Sequence, residues 1–160
     1  MFDSVAPLAQ RPGEVELGLW FHDAVYRTWK KDNELRSAQW AKEFLTACGA
    51  PGEVGARMHA LVMATCHVSD ELHGDAALIV DIDLSILGEP PEIYDAFERN
   101  VRKEYWWVPR RRFAAARSSV LRSFLSRPTI YHWPLLRERY EAPARANLER
   151  ALAALAVAEK

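Results

Sequence analysis

At 160 residues with 49% hydrophobic content, the chain suits one domain, residues 1–160, with a sizeable core. Its 21 Lys and Arg against 22 Asp and Glu leave no net field toward nucleic acid or an anionic membrane, and no nucleic-acid-binding motif is recognisable, so any anion binding is local. No basic-then-apolar leader opens the sequence, its longest purely apolar stretch, Ala151 to Ala158, is far below the roughly 20 residues a bilayer span needs, and Cys48 and Cys66 lack the spacing of a disulfide framework or a cysteine zinc site. The expectation is a soluble, cytoplasmic protein with buried, reduced thiols.

Period-3.6 patterns recur, while alternating strand-like runs and hairpin turns are absent, which predicts a compact all-α bundle of six to eight helices. The first is predicted over about Glu14 to Tyr26, carrying Leu17, Trp20, Phe21 and Ala24 along one side, its end falling near His22 and Asp23. Asp32 reads as the N-cap of a helix with Glu34 in its first turn, which continues through Trp40 and Phe44 to a stop at Gly49. After Pro51, the helix from about Gly52 to Cys66 turns Met58, Leu61, Val62 and Thr65 to the core, and a polar loop, Ser69 to Gly74, follows. A short apolar helix over Asp75 to Leu87 closes at Gly88. Two amphipathic helices come next, Pro91 to Trp106 and Pro109 to Leu125. The latter buries Phe113, Val120, Leu121 and Phe124 and turns its arginines outward, and Pro128 ends it. The last helical region starts near Pro134, bends or breaks at Pro143, and presents Leu148, Leu152 and Leu155 as its apolar stripe.

The sharpest chemical feature is His22-Asp23, at the end of Leu19-Trp20-Phe21. Adjacent imidazole and carboxylate donors suit Zn, Mn, Fe or Mg, although such a pair also serves simply to finish a helix. The second is Val80-Asp81-Ile82-Asp83-Leu84, where carboxylates sit inside apolar sequence. Burying them is costly unless they are paired, hydrogen-bonded or metal-bound, and one of the chain's many arginines is the plain alternative partner. Two residues apart is about 200° around a helix, so the two acids cannot both face one centre.

These segments resemble the HD superfamily of metal-dependent phosphohydrolases, and within it a bacterial branch of small predicted phosphohydrolases. The likeness runs in order through Leu19 to Tyr26, Asp32-Asn33-Glu34 with Ser37-Ala38, Thr65 with His67, and Asp81 to Gly88. It extends through Ala116-Arg117, Arg127 to Tyr131, and Ala144 to Leu148. The resemblance implies an HD-type helical domain and a divalent ion (Mn, Mg, Zn or Fe) held by His22, Asp23 and a late acid, Asp83 in preference to Asp81. It also implies a small phosphorylated substrate, a nucleotide being the commonest kind, hydrolysed by metal-activated water. His67 is a candidate second-metal ligand, acid or phosphate contact, and Glu34 a candidate for orienting or deprotonating the water; helix-dipole compensation is the plain role of each. Arg117 is the candidate phosphate contact among the arginines of its helix, most of which form a solvated face. His59, His73 and His132 default to structural or exposed roles.

One departure from the family pattern stands out: no histidine precedes His22, where the family carries a further metal ligand on a helix that would lie before Phe2. The expectation is weaker metal binding, and an apolar surface around Trp20 and Phe21 on which a second copy would pair. The rival expectation is a non-catalytic helical module whose degenerate site binds a ligand or partner.

Overall fold

In the computed structural model, which describes residues 2–67 and 71–158, every element is helical and no strand occurs among the described residues. Among the described residues there are eight α-helices: α1 (Phe2–Val5), α2 (Pro12–Phe21), α3 (Asn33–Ala47), α4 (Gly52–Ala64), α5 (Gly74–Asp83), α6 (Pro91–Glu104), α7 (Arg110–Leu125) and α8 (Pro134–Ala158). Short 3-10 turns cover Ala6–Leu8 and Leu84–Gly88. No described helix is long and apolar enough to cross a membrane. The loop expected from Ser69 to Gly74 begins outside the described residues. The chain divides into two compact units, Met1–Asp83 and Leu84–Lys160.

In the first unit α3 and α4 form a helical hairpin whose turn is set by Gly49 at φ +77°, a left-handed position that stops α3. Small residues, Ala38 and Ala41, let α4 approach, and Met58 and Val62 fill the interface with no exposure. Leu61 and Thr65 complete the predicted inward face of α4. Helices α2 and α5 pack on this hairpin and on each other. Asp75, at the start of α5, accepts hydrogen bonds from the backbone N–H groups of Gln10 (2.7 Å) and Arg11 (3.0 Å), just before α2. Midway along α2, Gly18 faces α5 so closely that a Cβ there would lie 2.8 Å from Ile79 Cδ1.

The side of α2 that is buried differs from the expected one. Val15 and Gly18 are buried and Leu17 and Phe21 are partly covered, whereas Trp20 is 78% exposed and Ala24 lies beyond the helix. The reason is that glycine is blank in a hydrophobic pattern, although its lack of a side chain is what permits the closest helix contact. Phe21 instead meets Trp40 edge-on (5.7 Å between ring centroids) and Phe44 (5.5 Å), both about half-exposed. Cys48 is also exposed, in the turn after α3, so only Cys66 is partly covered; both thiols are free. Asp32 precedes α3 as expected but makes no side-chain cap, because its carboxylate pairs with Arg36 (2.7 Å).

In the second unit the core is built from Leu84, Leu87, Tyr94, Phe113, Leu121 and Phe124 with the inward stripe of α8, Leu136, Tyr140, Ala144 and Leu148. The helix expected over Asp75 to Leu87 changes type at Asp83, and side chains take up the carbonyls of the tighter turn that follows. The Tyr131 hydroxyl donates to Leu84 O (2.9 Å), and the buried Asn147 amide donates to Leu87 O and Glu89 O (2.8 Å each). Glu141 accepts from the Ile130 N–H (2.9 Å), while Arg145 donates to Arg127 O (2.8 Å), binding the loop after α7 onto α8.

One expectation fails in this unit, and one half of another. On α7 the inward residue is Ser118, not Val120, which is 43% exposed: with Ala114 and Leu121 buried, position 118 shares their face and position 120 turns away. On α8 the break that is one of the two outcomes expected at Pro143 does not occur: the helix continues through it. That proline is exposed, so the carbonyl it leaves without a helical donor is on the water side, while the buried stripe holds the turns on either side.

Gly88 packs so tightly that a Cβ would come within 2.8 Å of both side-chain and backbone atoms of Tyr140, whereas a Cβ at Gly13, in the first turn of α2, meets nothing within 4 Å. Urea unfolding should therefore show Gly88→Ala destabilised by about 1–3 kcal/mol, and Gly13→Ala unchanged or stabilised by about 0.4–1 kcal/mol.

Candidate functional site

Positions 15, 18 and 22 follow the 3–4 spacing of one helix face, so the same side of α2 that buries Val15 and Gly18 directs His22 toward α5. His22 ends α2, its N–H bonded to Gly18 O (2.9 Å). Its Nδ1 lies 2.7 Å from Leu19 O, and because a carbonyl only accepts, Nδ1 carries the proton and Nε2 faces outward. Nε2 is 3.4 Å from Asp23 Oδ2 and 3.4 Å from Asp83 Oδ1. The other oxygen of Asp83 is 3.0 Å from His67 Nε2. One carboxylate, on the last residue of α5, thus joins two imidazoles from separate segments. Asp23 is the outermost of the four, with its side chain 60% exposed, against 25% for Asp83 and 22% for each histidine.

Three local devices hold this arrangement. The loop after Asp23 is fastened to α3 by buried Ser37, which accepts from the Val25 N–H (3.0 Å). Asn33 clamps the same loop by accepting from the Arg27 N–H (3.1 Å) and donating to Arg27 O (3.0 Å). His67 leaves α4 with φ +55°, the only left-handed residue other than glycine among the described residues. Such a conformation costs on the order of 1–2 kcal/mol for a residue with a Cβ, and it swings the ring back over the end of α5. Ser37 and Asn33 have no part in the site expected from sequence, where nothing but their place in the motif marks them.

Electrostatics follow from the bridge. The Asp83 hydrogen bond holds the His22 imidazolium up at about 9, against the opposing effect of burial. Burial raises the Asp83 carboxyl, but the bonds to His22 and His67 together outweigh it and carry it down to about 2. Glu34, in the first turn of α3, is near enough to Cys66 that its charge adds to burial in pushing that thiol up. Asp81 is fully buried. Arg117 belongs to the second unit, where Glu98 grips it at 2.6 and 3.1 Å and the side chain is 14% exposed, unlike the outward arginines beside it. His73 is exposed, as expected, and His59 and His132 are half-buried.

His22, Asp23, His67 and Asp83 form a mixed nitrogen and oxygen set of the type divalent transition ions take. Three pairs among these donors lie at 3.4, 3.4 and 3.0 Å, the distances of mutual ion pairs. The carbonyl behind His22 is the partner that fixes a metal-binding imidazole. In the structure the donors are closed on one another as ion pairs, and among the described residues no group of three or more His, Cys, Asp or Glu is placed to hold a metal ion. The donor types are those a divalent ion takes, but as placed they are paired with one another. No protein-family model, no curated protein and no solved structure matches the chain.

The raised His22 value makes a signed prediction. Its stabilising contribution is fully present below about pH 6.5 and is lost as pH climbs toward about 9. That of Asp83 is present above its ordinary value of 3.8 and is lost as pH falls toward about 2. Unfolding free energies from denaturant titrations with chelator present should decline from pH 6.5 to 9 by on the order of 1–3 kcal/mol, and His22→Asn should flatten that decline.

Proposed function

We propose that the chain is a metal-dependent phosphohydrolase of the HD superfamily type, hydrolysing a phosphate ester or nucleotide. The observation that carries this reading is Asp83 joined to both His22 and His67 beside Asp23, a donor set drawn from segments that resemble the family. In this reading His22, Asp23 and Asp83 hold one divalent ion, Mn, Mg, Zn or Fe, with His67 beside it. The bound ion would supply Lewis acidity, lowering the pKa of water and neutralising charge on a phosphoryl oxygen.

The chain's own residues do the rest. Leu19 O fixes the His22 ring so that Nε2 is the ligand, and Asp83 spends one oxygen on each imidazole, which sets the angle between them. Glu34 takes the proton of the attacking water as its oxygen bonds to phosphorus, and His67 gives one to the departing oxygen. For Arg117 to hold a phosphoryl group it must first give up Glu98.

A second reading, a non-catalytic ligand- or partner-binding module with a degenerate site, is favoured by the way the cluster's donors already satisfy one another. Metal-free protein titrated with each of the four ions, then assayed on p-nitrophenyl phosphate and a nucleotide panel, separates the two. We expect at least one ion to raise the thermal midpoint and to support hydrolysis, and Asp83→Asn to reduce the rate at least about 100-fold. Thermal stabilisation by a metal without turnover of any of these substrates would favour the binding module.

A further inference from the structure

The second unit contains a cavity of about 540 Å³ between α6, α7 and α8, within the span of roughly 300–1,000 Å³ typical of small-molecule sites. Its apolar wall comes from Phe113, Ala114, Ala151, Ala154 and Leu155. Charged residues ring it: Asp95, Glu98, Arg99, Arg102, Arg110 and Arg150.

The charges around this wall do not balance. Asp95 is taken up by Arg150 (2.7 Å), and Glu98 by Arg117, which lies outside the lining, with the Tyr94 hydroxyl as a further donor. The remaining three are Arg99, Arg102 and Arg110, none of which forms an ion pair among the described residues. Arg102 is held in place without being neutralised: it donates to the carbonyls of Tyr105 (2.5 Å) and Val108 (3.1 Å) and lies 4.9 Å over the Phe113 ring. A carbonyl fixes a guanidinium but carries no counter-charge, so a preset cation stands at the edge of an apolar wall with two exposed arginines beside it.

We infer that this cavity binds an amphiphilic anion, its carboxylate or phosphate head meeting Arg99, Arg102 and Arg110 and its apolar body lying along Phe113 to Leu155. Apolar burial supplies the non-directional part of the affinity, and the guanidinium forks orient the head. The inference concerns the second unit alone and is independent of the reading of the His22 cluster.

The test uses the full chain and five probes below their aggregation concentrations: octyl phosphate, octanoate, the neutral octanol, and the bodiless heads acetate and inorganic phosphate. Binding is followed by calorimetry and located by amide chemical shifts. We expect saturable one-to-one binding of octyl phosphate or octanoate, at least about tenfold tighter than octanol or the bare heads, with shifts centred on α6, α7 and α8; the preference between the two anions identifies the head. The double variant Arg99→Gln/Arg110→Gln changes only exposed side chains, its folding being checked by thermal melt, and should weaken the anion about tenfold while leaving octanol unchanged. Ala154→Trp, which fills the cavity, should weaken both. Equal affinity for octanol and the anions, indifference to the double variant, shifts centred elsewhere, or no saturable binding of any probe would each overturn the proposal.

Discussion

Helices α2 and α5 are the same length, ten residues each, and they are held together at both ends and in the middle. Asp75 secures the starts by taking two backbone N–H groups, Gly18 allows contact with Ile79 at the centre, and Asp83 meets His22 at the finish. The helices therefore run side by side in the same direction, and their ends are level. This alignment sets the geometry of the candidate site, because a one-residue slip of either helix rotates its last side chain by about 100° and would separate imidazole from carboxylate. The bridge to His67 adds a third strand of chain to the same point without lengthening either helix.

The second unit solves a different problem. Its 3-10 turn and the loop after α7 leave backbone carbonyls and N–H groups that no regular helix satisfies, and side chains of α8 do so instead. Asn147, Glu141 and Arg145 each serve more than one such group. Residues within 127–131 and 144–148, singled out from the sequence, are thus engaged here in tying irregular backbone to a long helix, a sufficient structural reason for those residue types. Arg117 is comparable, since its pairing with Glu98 beneath Phe97 makes it part of the framework of its own unit.

Much of this is legible in sequence wherever a long side chain marks the buried position. The inward face of α4, the stop at Gly49, the outward arginines of α7 and the break in chain direction at His22 all follow from spacing and punctuation. Legibility fails where the decisive residue is small or polar: Gly18 and Ser118 take inward positions that a hydrophobic count gives to Trp20 and Val120. It fails again at Pro143, since a local rule against proline in a helix carries no information about the buried stripe on the far side of the turn. Among the candidate site residues, the pairing of His22 with a late acid is suggested by the cost of burying a carboxylate. The part played by His67 depends on a backbone angle that no residue pattern encodes.

That angle has a consequence for how position 67 tolerates change. A left-handed backbone suits glycine without penalty and asparagine with little, so replacing the histidine by either would relieve local strain even as it removed the ring. Substitution there acts on two opposed quantities: the backbone gains, while Asp83 loses one of its two imidazoles. A β-branched residue loses on both counts, having neither the ring nor an accessible left-handed conformation. Position 67 is therefore one at which the chain's own conformational preference favours drift away from histidine, and only a benefit drawn from the imidazole opposes that drift.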